Sequence, residues 1–481
     1  MIIHSAVWAS DSSTGRRGRA GLSRKGNGTL PSNVMTAAET RRILDCRHVR
    51  GEMHEQPDVL ARLSRHVEYF AEQVGTLAEG RGGFRDVVFL APDRVQPVAL
   101  LGRHALAVRC GLPSTPLNAS VNANGADAGA GGASAEPSES TEPSAAPDSE
   151  CATDSEPRDN PLDRRLVIAL SPSGEDERVL ELARRALDAG SAVAAVTNDA
   201  RSPLASLATL AVDLAAGLEH SASATKSVTG MMLAVLALID GLPAASVAGR
   251  FAADARGPRI ANPACALAVA HAVGELLADC APADVAATRL VPARRVAVVG
   301  QGHNHPAALE TARMLRDTAG LLVEGFSVEE FSAGPMGGFD AETVVVLLAG
   351  RAQPAVRSLR ARLLARAAQV VMFGELGDGG DLGGSGAESD ELGQGPTPAD
   401  LPLPALGTFG APGASNTLGS AAECILATVR GQQLAIAAAR ALGVDPDRPA
   451  VPEAAAASPV RVHEHAGARA EAERGDGANA R

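Results

Sequence analysis

Two polar stretches of this 481-residue chain have the residue types and spacing for chemistry on an anionic ligand, and a third carries a histidine pair. The first is Ser171-Pro172-Ser173-Gly174-Glu175-Asp176, which joins the apolar run Leu166 to Leu170 to a helical pattern. Hydroxyls and unsatisfied backbone N–H groups at a helix N-terminus, on the carboxyl end of a parallel strand, make an anion pocket suited to a phosphate. On that reading Ser171, Ser173 and Gly174 hold the phosphate. The same residues also admit a structural reading, with Ser173 as a helix N-cap beside an empty loop. Asp176 argues against phosphate unless its carboxylate turns outward.

The second stretch, Gly217 to Lys226, is a polar loop opening a strongly apolar helix, and it offers Thr225 and Lys226 as ligands. Lysine is almost absent from the chain: only Lys25 and Lys226 occur, against 42 arginines. A lysine that survives such an arginine bias suits a point charge beside a phosphate or sugar oxygen. The alternative is a lysine left on a solvated turn. In the third stretch, Gly300-Gln301-Gly302 lacks the third glycine of a dinucleotide fingerprint, because His305 stands there, so no nucleotide cofactor is expected. His303 and His305 are read as lining a polar turn, with a ring-opening acid/base pair or a metal pair as alternatives. Two histidines without a third ligand make a poor metal site, and no metal is expected. Glu329 and Glu330 suit a solvated face.

The elements that must position these residues alternate short β-branched runs with longer helical patterns. Buried strands are expected at Asp86 to Ala91, Arg165 to Leu170, Ala192 to Thr197 and Leu210 to Leu214. A second set is expected at Val296 to Val299, Leu321 to Glu324, Thr343 to Leu348 and Gln369 to Phe373. Continuous apolar strands separated by helices imply parallel sheets covered on both faces. Glu175 to Ala189 is a representative helix, with Val179, Leu182, Ala183, Ala186 and Leu187 on one face and Gly190 closing it. The fold class is therefore α/β, with two doubly wound, flavodoxin-like domains at 41–247 and 248–447. Residues 1–40 read as an N-terminal tail, 1–34 of it a start-codon artefact in the alternative, and 448–481 as a C-terminal tail. Two acidic insertions, 119–160 and 374–400, offer too little apolar surface to offset ordering entropy.

Composition narrows the function classes. The formal net charge of −12 argues against a nucleic-acid partner, which would be met by clustered cations. Most of that acidity sits in the two insertions: residues 127–159 hold nine acids and one arginine, and 375–400 hold seven acids and no base. The remaining chain is close to neutral and does not repel an anionic ligand. Aromatic residues make up 2%, so stacking platforms for bases or sugars are not expected. The six cysteines form no CxxC pair, which favours thiols over disulfides or zinc and, with no targeting segment, a cytoplasmic setting. No apolar run reaches 18 residues, so no membrane span is expected; even Met231 to Ile239 is stopped by Asp240.

The motifs taken together resemble a known family. SPSGED with its helix, Thr197-Asn198-Asp199, Ser202 to Ala205 and Ala224-Thr225-Lys226 are similar to the sugar isomerase (SIS) domain. Met53-His54-Glu55-Gln56-Pro57, Val299 to Gly302, Pro306 to Glu310 and Gly334-Pro335 resemble, in order and spacing, the tandem-SIS isomerase half of glucosamine-6-phosphate synthase and related hexosamine-phosphate isomerases and deaminases. The resemblance covers roughly residues 50 to 447. It implies a phosphosugar-binding protein of amino-sugar metabolism, working without a cofactor. It further implies a homodimer, because SIS proteins commonly build the pocket between subunits.

The departures from the family bear on activity. Its Gly-Thr-Ser loop after the first strand is Asp93-Arg94-Val95 here, leaving Arg94 as the replacement ligand. The family's active isomerases carry Glu, Lys and Glu on the first helix of the second domain; the matching residues are Glu310, Met314 and Asp317, on one helix face. The resemblance thus assigns Glu310 and Asp317 as catalytic residues, with Asp317 about 1 Å short of the family's base, enough to slow a positioned proton transfer by orders of magnitude. Ala333 replaces the ring-opening histidine, and no lysine follows Lys226 to form an imine. No N-terminal cysteine nucleophile and no helix-turn-helix is seen, so neither glutamine-dependent amination nor a repressor is expected. Two functions follow: a hexosamine-phosphate aldose–ketose isomerase or deaminase, or a catalytically degenerate SIS protein acting as a phosphosugar sensor or partner subunit.

Overall fold

The computed structural model describes residues 46–119, 164–243, 259–349, 354–374, 400–404, 406 and 417–447. Three helices, α1 (Arg47–His54), α2 (Gln56–Leu63) and α3 (Val67–Gly80), lead into the first sheet. Its elements are β1 (Asp86–Ala91), α4 (Gln96–Arg109), β2 (Ser114–Asn118), β3 (Arg165–Leu170), α5 (Glu177–Asp188), β4 (Ala192–Thr197), α6 (Pro203–Leu207), β5 (Leu210–Asp213) and α7 (Lys226–Gly241). The second half runs α8 (Pro263–Ala278), α9 (Ala281–Leu290), β6 (Arg295–Gly300), α10 (Asn304–Ala319), β7 (Val323–Ser327), α11 (Val328–Ala333), β8 (Thr343–Leu348), α12 (Pro354–Ala365), β9 (Gln369–Phe373) and α13 (Thr417–Leu442).

Both sheets are wholly parallel, in the orders β2-β1-β3-β4-β5 and β7-β6-β8-β9. The second order repeats the first with one strand fewer, and the isolated bridge from Phe373 to Leu401 stands where a fifth strand would lie. β4 and β8 are buried at every residue, as a strand covered on both faces must be. The expected pair of doubly wound sheets is therefore present. β2 escaped the sequence reading because Ser114-Thr-Pro-Leu-Asn carries a proline and little apolar bulk; it pairs only with β1, at the sheet edge, where Pro is tolerated. β7 begins two residues later than expected, and Leu322 ahead of it is 91% exposed.

One apolar core runs between the inner faces of the two sheets and takes in α7, α8, α10 and α13, while two smaller clusters lie under α5 and α6 on one outer face and α11 and α12 on the other. Fifteen residues of α7 are buried, so Met231 to Ile239 is a core helix. Among the described residues no single helix is long and apolar enough to cross a membrane. α13 crosses α10 where Gly431 meets Thr311; a Cβ at Gly431 would overlap the threonine hydroxyl, and that close approach seats the helix bearing Glu310 and Asp317. The expected domain boundary at 247 and 248, the bulk of both acidic insertions and both expected tails lie outside the described residues. Asp400, at the end of the second insertion, is held in place: its carboxylate accepts from Met372 N–H and pairs with Arg289.

Candidate functional site

In each sheet the strand order reverses beside the first strand of the set, between β1 and β3 and between β6 and β8, and in such sheets ligands bind outside the strand carboxyl ends at that point. The Ser171 loop leaves β3 there. Ser171 is buried, and its Oγ accepts the Gly174 N–H at 3.1 Å; half-buried Ser173 accepts the Glu175 N–H at 3.2 Å. Each hydroxyl accepts within the loop and still has its own proton to donate. Gly174 lies at φ +65°, against Ser202 and Thr197, where a Cβ would overlap the Ser202 hydroxyl. Only glycine meets both the left-handed backbone and the close approach.

The helix N-cap is not Ser173 but Asp176, whose Oδ1 accepts the Val179 N–H at 3.0 Å, so α5 begins at Glu177 rather than Glu175. A carboxylate there stabilises the positive helix end and places a negative charge beside the Ser171 loop. Asp93, on the loop after β1, adds a second carboxylate at the same reversal and accepts from Asn118 Nδ2 at 2.5 Å. The helix closes on a Schellman pattern, with Gly190 at φ +95° just beyond the cap Ala189.

Asn198 ties this loop to the second stretch. Its N–H donates to Pro172 O at 2.9 Å, its Nδ2 donates to Gly217 O at 2.7 Å, and its Oδ1 accepts from Ala216 N–H at 2.7 Å. Lys226 is 2% exposed and ion-paired through Nζ to Glu55 Oε2, so it is not on a solvated turn. Thr225, fully buried, donates its backbone N–H to Glu219 Oε1 at 2.8 Å, and Glu219 also accepts from Ser227 Oγ. Glu52 accepts from the backbone of His220 and from Ser221 Oγ. Beneath Lys226, Gln56 donates to Gln432 Oε1 at 2.8 Å and accepts from Thr229 Oγ1 at 2.9 Å. Three carboxylates thus anchor one loop and the only lysine among the described residues.

The second half meets this loop through α10. Glu310 is fully buried and paired through both carboxylate oxygens to Arg313, by Nη2 and by Nε at 3.0 Å. Arg313 Nη1 reaches Asp317 Oδ2 at 2.6 Å, and Nη2 donates to Ala224 O at 3.5 Å, two residues from Lys226. Burial pulls the guanidinium pKa down, but the charge and hydrogen bond of Glu310, followed by those of Asp317, more than reverse this and raise it. Met314 is buried. The positive charge the family carries at that position is therefore supplied here by Arg313, one residue earlier, which binds both candidate carboxylates at once.

The histidines have a different setting from the polar turn expected. His303 packs against His104 of α4, ring centroids 6.1 Å apart, and His305 Nε2 lies 3.7 Å from Glu330. Burial, followed by the charge of a neighbouring histidine, holds His104 and His303 down at about 4. Glu330 closes a capping box with Ser327, and Glu329 accepts from Gln301 Nε2 at 3.3 Å. The five described cysteines stand as thiols, and among the described residues no group of three or more His, Cys, Asp or Glu could hold a metal ion. Sequence reasoning missed Arg313, Glu219 and the partnership of Glu55 with Lys226. The first was available as Glu-x-x-Arg-x-x-x-Asp on one helix face; the others join residues 6 and 171 positions apart and have no local signal.

Comparison with known proteins shows what this chain is similar to. A model described as the SIS domain matches residues 148–240 and 289–376. The isomerizing glutamine–fructose-6-phosphate aminotransferase of Mycolicibacterium smegmatis is 28% identical over 305 residues, 61% of this chain and 43% of that protein. That of Zymomonas mobilis is 29% identical over 184 residues, 38% of this chain and 30% of the relative. In both, the match spans less than half of the relative's length. Among solved structures, the C-terminal domain of glucosamine-fructose-6-phosphate aminotransferase from Francisella tularensis shares the fold at a TM-score of 0.56 and 15% identity, over 84% of this chain and 98% of that one. Tagatose-6-phosphate ketose/aldose isomerase from Escherichia coli does so at 0.56 and 17%, over 84% and 95%. The chain therefore carries the SIS domain in two segments and is a homologue of the isomerase half of glucosamine–fructose-6-phosphate aminotransferase.

Proposed function

We propose that this chain binds a phosphorylated sugar or amino sugar at the carboxyl edge of its first sheet and serves as a phosphosugar sensor or partner subunit rather than an isomerase. The ligand class is supported by the family resemblance and by a Ser171-to-Gly174 turn that places two hydroxyls, each with a proton to donate, at the strand-order reversal, linked through Asn198 to the Lys226 loop. In this reading Ser173 and the loop amides take the phosphate, while Thr225 and Lys226 shape its far wall.

The observation that carries the non-catalytic half is Arg313. A general base must be free to take a proton from carbon, and one guanidinium already holds both oxygens of Glu310 and Oδ2 of Asp317. Glu310 is sealed from solvent, and Asp317 is one methylene shorter than the base the family uses.

The test is a melting-temperature panel of glucosamine 6-phosphate, fructose 6-phosphate and tagatose 6-phosphate, with turnover of glucosamine 6-phosphate, and of fructose 6-phosphate plus ammonia, measured alongside. One panel member should stabilise the protein, by about 2.7 kcal/mol at a hundredfold excess over Kd, without being consumed, and Ser173→Ala should abolish the shift. No shift across the panel would overturn the binding reading. Turnover that disappears in Asp317→Asn would establish the isomerase instead.

A further inference from the structure

Away from that site, α1 carries three basic side chains on one exposed face. Arg47, Arg50 and His54 stand at i, i+3 and i+7 and line, with Gly51, a surface hollow of about 470 Å³. Among the described residues neither Arg47 nor Arg50 has an ion-pair partner, whereas Arg165, Arg178, Arg289, Arg294 and Arg440 are each paired to a carboxylate. The opposite face of the same helix fixes it in place. Val49 and Met53 enter the core, and Glu52 accepts from the His220 and Ser221 amides. The helix start is clamped by Asp447, whose carboxylate accepts His48 N–H at 2.9 Å and Val49 N–H at 2.8 Å. Because that carboxylate occupies the amides, the cations themselves, and not a helix N-terminus, define the site.

We infer that the outer face of α1 is a binding site for a diphosphate group carried by a small molecule. Guanidinium forks match phosphoryl oxygens bidentately, and a helix anchored along its inner face presents two of them from a backbone that is already ordered. Arg47 and Arg50 stand about 4.5 Å apart along the helix axis, and the His54 imidazole extends the row by about 6 Å as a neutral hydrogen-bonding group, a reach suited to two linked phosphoryl groups more than to one. Confinement of the cations to a single hollow suits a small anion rather than an extended polyanion. The inference does not depend on the sugar-phosphate reading.

The experiment is titration calorimetry of the full chain with pyrophosphate and with orthophosphate, in wild type, Arg47→Ala/Arg50→Ala and Arg50→Lys. Pyrophosphate should bind wild type more tightly than orthophosphate. The double alanine variant should bind it at least about tenfold more weakly, the loss expected when charge-assisted contacts are removed, and Arg50→Lys should fall between. Both positions are exposed, so the variants should fold, and their melting temperatures verify it. Ser173→Ala should leave pyrophosphate affinity unchanged, and the double alanine variant should keep any sugar-phosphate shift. Wild-type pyrophosphate affinity in the double variant, or its loss in Ser173→Ala, would overturn the proposal. In the second case the anion sits at the first sheet.

Discussion

Replacing Arg313 with methionine tests how the α10 carboxylates are held. The guanidinium side chain is 11% exposed, Glu310's is 1% exposed and Asp317's 33%. Removing Arg313 leaves Glu310 buried without a counter-charge, a loss of about 3–5 kcal/mol. The contact with Asp317 adds about 1 kcal/mol at most, because that carboxylate is partly in water. The cost should therefore depend on whether Glu310 is present. In Arg313→Met/Glu310→Met both charges are gone, and apolar side chains of similar length fill the space between α10 and α13; such exchanges range from neutral to stabilising. The double variant should be more stable than Arg313→Met alone, with a coupling energy of about 3 kcal/mol. The corresponding cycle with Asp317→Asn should couple by less than about 1 kcal/mol. Urea unfolding followed by circular dichroism, with midpoints compared at constant slope, measures each corner. If Arg313→Met costs less than about 1 kcal/mol, or its cost adds to that of Glu310→Met without coupling, the carboxylates are not locked by this arginine and the case against a general base on α10 falls.

Two further outcomes follow from the same geometry. Asp176→Ser keeps an N-cap of similar strength on α5, so stability should change by less than about 0.5 kcal/mol, while removal of a negative charge beside the Ser171 loop should tighten glucosamine 6-phosphate binding about tenfold by calorimetry; unchanged affinity would show that Asp176 does not face the phosphate. His104 and His303 have native pKa values lowered to about 4 against an ordinary 6.5. Both are neutral in folded and unfolded chains above 6.5, and between 6.5 and 4 only the unfolded chain takes up protons. The stability they share is whole above pH 6.5 and drains as the pH falls toward 4, by about 3 kcal/mol for His303 alone. His303→Phe should flatten that part of the melting-temperature profile, and a profile as steep as wild type would refute the assignment.

Much of the fold was legible because it is written in local pattern. Eight of the nine strands among the described residues announce themselves as short apolar runs between helical periodicities, since a parallel strand covered on both faces has no polar side to show. β2 did not, because an edge strand needs no apolar pattern and tolerates Pro116. The site was legible as a set of motifs but not as a set of partners. Ser173 looked like the cap and Asp176 like an intruder, yet the chain bends so that Asp176 reaches the Val179 amide and Ser173 stays in the loop. Lys226 reads from sequence as a phosphate ligand or, in the alternative, as a lysine on a solvated turn; what pairs and buries it is Glu55, 171 positions away, and a core helix packed behind.

The sequence by itself determined the two parallel sheets, the serine loop on a strand end, the rarity of lysine and an alanine, Ala333, where the resemblance expects a histidine. These are facts of composition and of periods no longer than a helix turn. Tertiary structure alone decided the charge balance at the site. Whether a carboxylate is a base, a cap or half of an ion pair depends on what faces it across the interior, and those partners arrive from other elements: Glu55 and Glu219 to the Lys226 loop, α13 against α10, and Arg313 between the two carboxylates that would otherwise have been left for catalysis.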